Sequence, residues 1–262
     1  ERIKINKKHA STEEICKVFE LIEEKRKNIT LTFFEFSTLA AFKIFSQKNL
    51  DIIILEVGLG GRLDAVNIID ADVSIITSIG VDHTSILGND LEQIAFEKAG
   101  VMRKNKPTIV GYKNIHEAII THSKNIGSNL SILNDNFSYK IHNKDKWIFS
   151  NDEGINYECD MPGIKGAIQI NNAASAIQAI LSCDDIDIKE KQLNLGLQKA
   201  QIYGRFHVVS DSPKIILDIA HNEQSVISLI ENFNKYYPRK NYHAVFSVLK
   251  DKKINKILEL LK

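Results

Sequence analysis

A carboxylate, Glu56, stands at the end of an unbroken apolar run and is followed by a glycine-rich turn. The apolar run covers residues 52–55, and Arg62 and Asp64 lie just beyond the turn. A run of this kind predicts a strand buried on both faces, as in parallel sheets. Ligands of such sheets bind beyond the carboxyl ends of the strands, where Glu56 falls. Because burying an unpaired carboxylate is expensive, we expect Glu56 to meet a cation or a hydrogen-bond donor there.

A histidine follows the next apolar run in the same way. His83 lies just beyond residues 73–79, and two neighbouring strands would bring Glu56 and His83 to one edge of the sheet. A carboxylate and an imidazole suit a divalent cation that arrives with phosphates, because Mg²⁺ takes few protein ligands. The alternative is that Asp82 and His83 only cap the following turn.

Lys98 lies on the apolar stripe of a predicted helix. Positions 91, 94, 95 and 98 follow the helical spacing i, i+3, i+4, i+7, and the first three are apolar. One interpretation is a side chain that snorkels to solvent. The other is a partly buried amine with a lowered pKa, available for ion pairing or for covalent modification.

Polar side chains also end strands and open helices later in the chain. Asp218 ends the apolar run 215–217, and His221 and Asn222 lie at the following turn. This repeats the strand-end pattern, although ordinary turn polarity explains it equally well. Asn172 opens a helix rich in small residues, where it is either a helix cap or a ligand contact.

The order of the predicted elements is that of an α/β protein with a mostly parallel sheet. Strand-like runs are expected at residues 52–57, 73–79 and 108–110, and helices at residues 13–27, 34–47, 91–99, 115–125, 169–183 and 189–199. Short runs at residues 137–141 and 147–149, between Asn, Asp and Gly clusters, predict a small antiparallel sheet. A strand–helix–strand unit is expected at residues 214–217, 223–233 and 244–249, followed by a last helix from about Lys252.

Composition gives no indication of a nucleic-acid, membrane or metal-thiolate function. The chain has 34 basic and 33 acidic residues, and a net charge of +1 gives no argument for a nucleic-acid or membrane partner. Its three cysteines are widely spaced, which indicates reduced thiols in a cytosolic protein and not a metal centre. No GxxxxGK[ST] sequence occurs. If the chemistry uses ATP, we therefore expect the phosphate-binding loop to lie outside these residues.

Six motifs, which occur in one order, together closely resemble folylpolyglutamate synthase/dihydrofolate synthase, a branch of the Mur ligase superfamily. They lie at residues 31–36, 56–67, 77–84, 97–100, 204–206 and 218–222. The 56–67 block is specific to this branch, whereas the Asp-x-Ala-His-Asn block is shared with cell-wall ligases. The resemblance implies a Mur ligase-like central domain over residues 1–203, with a mostly parallel sheet and a small antiparallel subdomain. Residues 204–262 would begin a Rossmann-like C-terminal ligase domain, and the chain would be an internal fragment.

The resemblance implies ATP-dependent amide ligation by a cytoplasmic monomer. ATP would phosphorylate a dihydropteroate or folate carboxylate, and the amino group of L-glutamate would attack the acyl phosphate. The implied cofactors are ATP and Mg²⁺, with a second divalent or monovalent cation left open. No nucleic acid or membrane is implied as a partner.

Roles carry over only where this sequence matches the family's motifs. Glu56 and His83 correspond to Mg²⁺ ligands, and Lys98 to a carbamylated lysine whose added carboxylate assists a metal. His221 is expected to be catalytic. The residues corresponding to the dihydropteroate pocket are Thr32, Phe34, Asp64 and Ala65. Those corresponding to ATP contacts are Asn172, Arg205 and Asp218.

Two departures from the family and two alternatives accompany this hypothesis. Tyr203 and Glu223 stand where the family has proline, which affects loop geometry more than chemistry. The family's phosphate-binding loop has no counterpart, so we expect these residues alone not to turn over ATP.

The alternatives are a non-catalytic fragment or remnant, and a cell-wall ligase. The 32–36 and 56–64 blocks argue against the cell-wall ligase.

Overall fold

The computed structural model describes residues 2–81, 84–166, 168–238, 241–249 and 254–261. The chain divides into two compact units, Glu1–Asp70 and Ala71–Lys262. In the described ranges, no helix is both long enough and apolar enough to cross a membrane.

The first unit is built on two helices that pack against each other. Both begin with a capping box, Ser11 with Glu14 and Thr32 with Glu35, which satisfies the first backbone amides of each helix. The helices meet through an edge-to-face pair of phenylalanines with ring centroids 5.0 Å apart. The elements of this unit are β1 (Lys4–Ile5), β2 (Lys8–His9), α1 (Thr12–Arg26), α2 (Phe33–Phe45) and a 3₁₀ helix (Ala65–Ile68).

The strand expected at residues 52–57 does not form, and that prediction is wrong. A strand is defined by hydrogen bonds to a neighbour, and no described segment pairs with this run. The side chains of residues 52–54 are exposed instead of buried, and Ile54 is 89% exposed. Glu56 at the end of the run is also exposed, so the expected cost of burying its carboxylate does not arise here.

The second unit begins with the predicted parallel sheet, and this part of the fold prediction is confirmed. The three strands lie in the order β3-β4-β5 and pair in parallel throughout. Helices cross between them, as parallel pairing requires. The elements are β3 (Ser74–Ile76), α3 (Thr84–Leu87), α4 (Leu91–Ala99), β4 (Pro107–Val110), α5 (Glu117–Ile126) and β5 (Asn129–Ile132).

An antiparallel three-stranded sheet follows, as the Asn-, Asp- and Gly-punctuated sequence predicts. Its largest side chains, Phe137, Trp147 and Phe149, are fully buried and form one core with Ile177 of the next helix. That helix, α6, also contacts the parallel sheet. The elements are β6 (Phe137–Ile141), β7 (Lys146–Asn151), β8 (Asn156–Asp160), α6 (Ile168–Leu181) and α7 (Glu190–Lys199).

The last part of the chain differs from the expected strand–helix–strand unit. The strand at Lys214–Leu217 is present, but it pairs antiparallel with a preceding strand that the sequence analysis missed. Residues 244–249 form no strand. The local partner is available because only two residues separate the paired strands. The elements are β9 (His207–Asp211), β10 (Lys214–Leu217), α8 (Glu223–Tyr236) and α9 (Ile254–Leu261).

The close approach of α6 to β4 requires a glycine, which yields a test of the packing. A Cβ placed on Gly111 would lie 2.4 Å from the Oγ atom of Ser175, which is 1% exposed. We expect Gly111→Ala to lower the free energy of unfolding by about 1–3 kcal/mol, the usual cost of overpacking. Urea unfolding followed by circular dichroism measures this loss.

Ser175→Ala removes the atom that the new methyl group would meet. Gly111→Ala should therefore cost less in a Ser175→Ala background than in the wild type. Equal costs in both backgrounds would show that Ser175 is not the reason for the glycine.

Candidate functional site

One carboxylate holds the glycine-rich turn of the first unit. Asp64 Oδ2 accepts hydrogen bonds from the amides of Gly58 and Leu59, both at 2.9 Å. Its Oδ1 accepts a third from the amide of Val66 at 3.0 Å, and Asp64 thereby also caps the 3₁₀ helix that begins at Ala65. Three backbone amides thus depend on one side chain, so Asp64 fixes the shape of the turn.

An aromatic ring lies directly against this turn. A Cβ placed on Gly58 would lie 2.8 Å from Cζ of Phe34, so the ring approaches a position that only glycine permits. Phe34 is still 42% exposed, which leaves ring surface for a ligand to stack on. Thr32 caps the same helix, because its hydroxyl oxygen accepts from the amide of Glu35 at 3.2 Å while its own amide donates to the Glu35 carboxylate at 2.7 Å. The helix α2 contacts the 3₁₀ helix, so the predicted pterin residues gather in one place.

The two predicted metal ligands stand differently in the structure. Glu56 has an exposed carboxylate, with no hydrogen bond or ion pair to any described residue. His83 lies outside the described residues, and its role stays a prediction. In the part of the chain that the structure describes, no group of three or more His, Cys, Asp or Glu side chains is arranged to hold a metal ion.

Lys98 occupies the inward position that its helical spacing predicts. It lies on the face of α4 that carries the buried residues Ile94 and Ala95, and it is itself half-buried. This burial lowers the pKa of the Lys98 amine, because the charged form is deprived of water. Among the described residues no carboxylate lies within ion-pair distance of it. The amine is therefore less readily protonated than an ordinary lysine.

A contact that sequence reasoning missed fixes the helix that carries Lys98. Glu92 of α4 accepts from the amide of Ala118 at 2.9 Å, and its other oxygen lies 2.9 Å from Nδ1 of His116. These contacts lower the pKa of Glu92, and the backbone amide contributes most. Glu92 thus caps α5 from a neighbouring helix. No sequence pattern reveals this, because Glu92 lies off the apolar stripe and its partners are 24 and 26 residues away.

In the second unit Asp218 holds a turn in the way that Asp64 does in the first. Its Oδ2 accepts from the amide of Phe206 at 2.7 Å, and its Oδ1 accepts from the amide of Ala220 at 2.8 Å. Gly204 has φ of +76°, and a Cβ on it would lie 2.9 Å from Cγ2 of Ile219. Arg205, between Gly204 and Phe206, is exposed. The structure therefore brings Arg205 and Asp218 together at one end of the β9–β10 hairpin.

His221 belongs to the same turn. Its Nδ1 lies 2.9 Å from the carbonyl oxygen of Ile219, and its amide donates to Oγ of Ser225 at 3.1 Å. Asn222 caps α8 by accepting from the amide of Ser225. The ring of His221 is thus held by the loop that Asp218 organises.

Asn172 lies in the first turns of α6, in the same unit. Its Nδ2 donates to Oε1 of Gln169 at 3.2 Å. It lines a mainly apolar cavity of about 300 Å³ between α6 and α7. Its neighbour Asn171 points elsewhere, since Asn171 Oδ1 accepts from the hydroxyl of Tyr139 at 2.7 Å.

Comparison with known proteins confirms the family resemblance of the motifs. The dihydrofolate synthase/folylpolyglutamate synthase of Buchnera aphidicola from Schizaphis graminum is 40% identical over 100% of this chain and 61% of its own length. The structure of Escherichia coli FolC in complex with DHPP and ADP matches with a TM-score of 0.91 and 36% identity, over 98% of this chain and 61% of that one. A Yersinia pestis bifunctional folylpolyglutamate synthase/dihydrofolate synthase complexed with AMPPNP and Mn ion gives a TM-score of 0.89 and 37% identity, with the same shares.

A family model described as the glutamate ligase domain of Mur ligases matches residues 204–262. The chain spans about three-fifths of the length of the three proteins named above, 61% in each case.

The role of Asp64 in the turn can be tested by removing its charge. Asp64→Asn keeps one acceptor oxygen but replaces the other with an NH₂ group, which cannot accept from the backbone amides that now donate to it. We expect a loss of about 1.5–3 kcal/mol in the free energy of unfolding, as for a hydrogen bond to a charged group. Hydrogen exchange should accelerate at the amides of Gly58, Leu59 and Val66. Asp51→Asn, at an exposed aspartate of the same unit, should leave both quantities unchanged. Unaltered exchange at the three amides in Asp64→Asn would contradict the assignment.

The lowered pKa of Lys98 predicts a pH-dependent stability. The unfolded chain holds this proton more tightly than the folded protein, so the wild type gains stability as the pH rises toward the unfolded pKa of lysine. Lys98→Met removes the charge. In bicarbonate-free buffer at pH 7 it should raise the thermal midpoint by a few degrees, and this gain should shrink toward pH 10.

Lys104→Met, at an exposed lysine, is the matched control and should show no such trend. A gain from Lys98→Met that is the same at pH 7 and pH 10 would mean that packing, and not charge, explains it.

Proposed function

We propose that the protein is an ATP-dependent ligase that adds L-glutamate to dihydropteroate, to folates, or to both, because the chain is homologous over its whole length to dihydrofolate synthase/folylpolyglutamate synthase. The observation that carries the proposal is the match over 98% of this chain to a structure that holds both DHPP and ADP. The reaction would join the amino group of glutamate to a carboxylate that ATP has phosphorylated.

For the nucleotide we propose Arg205, Asp218 and Asn172 as contacts, with His221 as a catalytic group beside them. The geometry supports this set, because the exposed guanidinium of Arg205 is free to pair with phosphate oxygens. Each oxygen of Asp218 accepts one amide hydrogen and keeps a lone pair for a ligand hydroxyl. The rigid turn would hold these groups in place before the nucleotide arrives.

For the pterin we propose the surface formed by Thr32, Phe34, Asp64 and Ala65. Phe34 offers an exposed ring face for stacking, and the glycine turn beside it brings backbone groups within reach of a flat heterocycle. Asp64 would act mainly through the turn that it holds. Its carboxylate already accepts three amide hydrogens.

For the metal we propose Glu56 and His83, assisted by Lys98. The exposed carboxylate of Glu56 fits Mg²⁺, which prefers oxygen ligands and keeps water and substrate oxygens in its remaining positions. When bound, the ion would neutralise charge on the phosphoryl oxygens. Lys98 would react as its neutral amine with CO₂, forming an N–C bond and losing a proton, and its lowered pKa favours that form. The resulting carbamate would supply a further carboxylate.

We further propose that residues 1–203 and 204–262 belong to successive domains of a cytoplasmic, single-subunit enzyme. The start of the matched glutamate ligase model at residue 204 supports this boundary. The Arg205 turn would then belong to the second domain and Asn172 to the first.

The reaction can be tested directly with the full gene product. We expect phosphate release from ATP that depends on both L-glutamate and dihydropteroate, or a folate, and that requires Mg²⁺. A UDP-linked cell-wall precursor should not replace the pterin. Turnover with the UDP-linked precursor alone would support a cell-wall ligase, and no turnover with any acceptor would support a non-catalytic remnant.

Substitutions at Arg205 and at Asp218 should have different effects on stability, because only Asp218 holds the turn. Arg205→Ala should weaken ATP binding about tenfold or more, as expected from losing a charged hydrogen bond, and should leave the thermal midpoint unchanged. Asp218→Ala should weaken binding and also lower the midpoint, since the amides of Phe206 and Ala220 lose their acceptor. Calorimetric titration with ATP and thermal unfolding measure the two effects. Lys144→Ala, at an exposed lysine, is the control. A normal ATP affinity in Arg205→Ala would contradict the nucleotide assignment.

A further inference from the structure

We propose that Tyr139 is a positioning residue for ATP, which acts through Asn171 to set the rotation of α6 and hence the aim of Asn172. This inference rests on the proposed function, in which Asn172 contacts the nucleotide. It concerns a side chain of the antiparallel sheet that belongs to none of the nucleotide, pterin or metal residues.

The contact itself is short and specific. The hydroxyl of Tyr139, on β6, donates to Oδ1 of Asn171 at 2.7 Å, a typical length for a strong O–H···O bond. The two residues are 32 positions apart, so the bond joins separate elements. Asn171 lies in the first turn of α6, which begins at Ile168. The sheet is thereby attached to the start of the helix.

The tyrosine has a rigid backing. Its ring packs edge-to-face on Trp147, with centroids 6.0 Å apart. Trp147 is fully buried, and its indole N–H donates to the carbonyl of Asp160 on the third strand at 3.0 Å. In the sheet, Tyr139 also pairs with Phe149, which is fully buried too. The hydroxyl of Tyr139 therefore occupies a fixed point, and Asn171 must come to it.

Fixing Asn171 orients Asn172, because the two are consecutive on a helix. Successive side chains of an α-helix point about 100° apart around the axis, so a hydrogen bond to one sets the direction of the other. With Asn171 turned toward the sheet, Asn172 is turned toward Gln169 and the cavity beside α7. Loss of the bond to Asn171 would therefore let Asn172 turn away from this direction and weaken its contact with the nucleotide.

Two other contacts hold α6 further along its length, away from the turn that carries Asn171. Ser175 lies against Gly111 one turn further on, and Gln178 accepts from Asn151 at 3.4 Å another turn along. Those contacts fix where the body of α6 lies. Among the hydrogen bonds described between the antiparallel sheet and α6, the Tyr139 bond is the one that reaches the turn next to Asn172.

Tyr139 could also affect ATP binding through α8, and this possibility must be distinguished from an effect through Asn171. Tyr139 and Asn171 also line a cavity of about 300 Å³ with Ser228, Glu231 and Asn232 of α8. A change at Tyr139 could reach the Asp218 turn through α8 instead of through Asn171. The two routes differ in whether the effect of Tyr139 depends on Asn171.

The test is Tyr139→Phe in the full gene product, which removes only the hydroxyl. We expect the Kd and the KM for ATP to rise roughly fivefold, the factor that corresponds to one ordinary hydrogen bond. The kcat and the KM for dihydropteroate should stay near the wild-type values, since the pterin residues lie in the other unit. Far-ultraviolet circular dichroism should be unchanged and would show that the sheet is intact.

Tyr157→Phe is the matched control. Tyr157 lies on β8 of the same sheet, and its hydroxyl makes no hydrogen bond to any described residue, so its removal should leave the KM for ATP unchanged. A Tyr139→Phe variant with wild-type ATP affinity would overturn the inference while leaving the ligase proposal intact. A wild type that does not bind ATP at all would overturn both.

A double-mutant cycle decides between the two routes. If Tyr139 acts through Asn171, then Asn171→Ala should raise the KM for ATP by a similar factor, and adding Tyr139→Phe should raise it no further. Multiplying effects, which indicate independent action through α8, would also overturn the inference.

Discussion

Backbone amides in tight, glycine-bearing turns need acceptors, and in both turns that matter here an aspartate supplies them. Asp64 accepts three amide hydrogens around Gly58, and Asp218 accepts two around Gly204. An unsatisfied amide would cost about as much as a lost hydrogen bond. Each turn is consequently rigid, and the residues that we assign to ligands, Phe34 in one and Arg205 in the other, project from rigid backbone.

Rigidity of this kind is transferred along α6 in the second unit. The helix is held by the parallel sheet at Gly111 and by the antiparallel sheet at two polar contacts, from Tyr139 and from Asn151. The antiparallel sheet can support α6 because its buried aromatic side chains share one core with that helix. Glu92 does the same for α4, since it caps α5 and thereby fixes the helix that carries Lys98.

The sequence predicted elements well where they depend on the spacing of neighbouring residues, as helices do. The helix at Leu91–Ala99 matches its apolar spacing, and the inward position and lowered pKa of Lys98 follow from the same spacing. The run 52–57 failed because apolar residues indicate a tendency to form a strand, whereas a strand also needs a partner. The hairpin of β9 and β10 was missed because β10 was assigned to a strand–helix–strand unit, in which its partner strand would follow it and not precede it.

For the site, the position of a carboxylate in a motif did not reveal which groups in the fold it contacts. Asp64 and Asp218 were both predicted as ligand contacts from motif position, and both use their oxygens on backbone amides. Asn171 and Asn172 look equivalent in sequence, yet a hydroxyl 32 residues away separates their roles. Partners at such distances depend on how elements pack, which no spacing within one element reveals.

The contacts of the two aspartates differ from those of the exposed charged residues, and the difference indicates different roles. A residue that holds a turn cannot be exchanged without moving the ligand groups that project from it, so at Asp64 and Asp218 stability and binding are coupled. Glu56 and Arg205 are exposed and make no contact that the fold needs among the described residues, so their identity is free to be set by a ligand alone. A charged side chain that the fold does not use, beside a turn that the fold fixes firmly, is the arrangement expected of a site built for charge neutralisation, where catalysis depends on groups that are in position before the substrate binds.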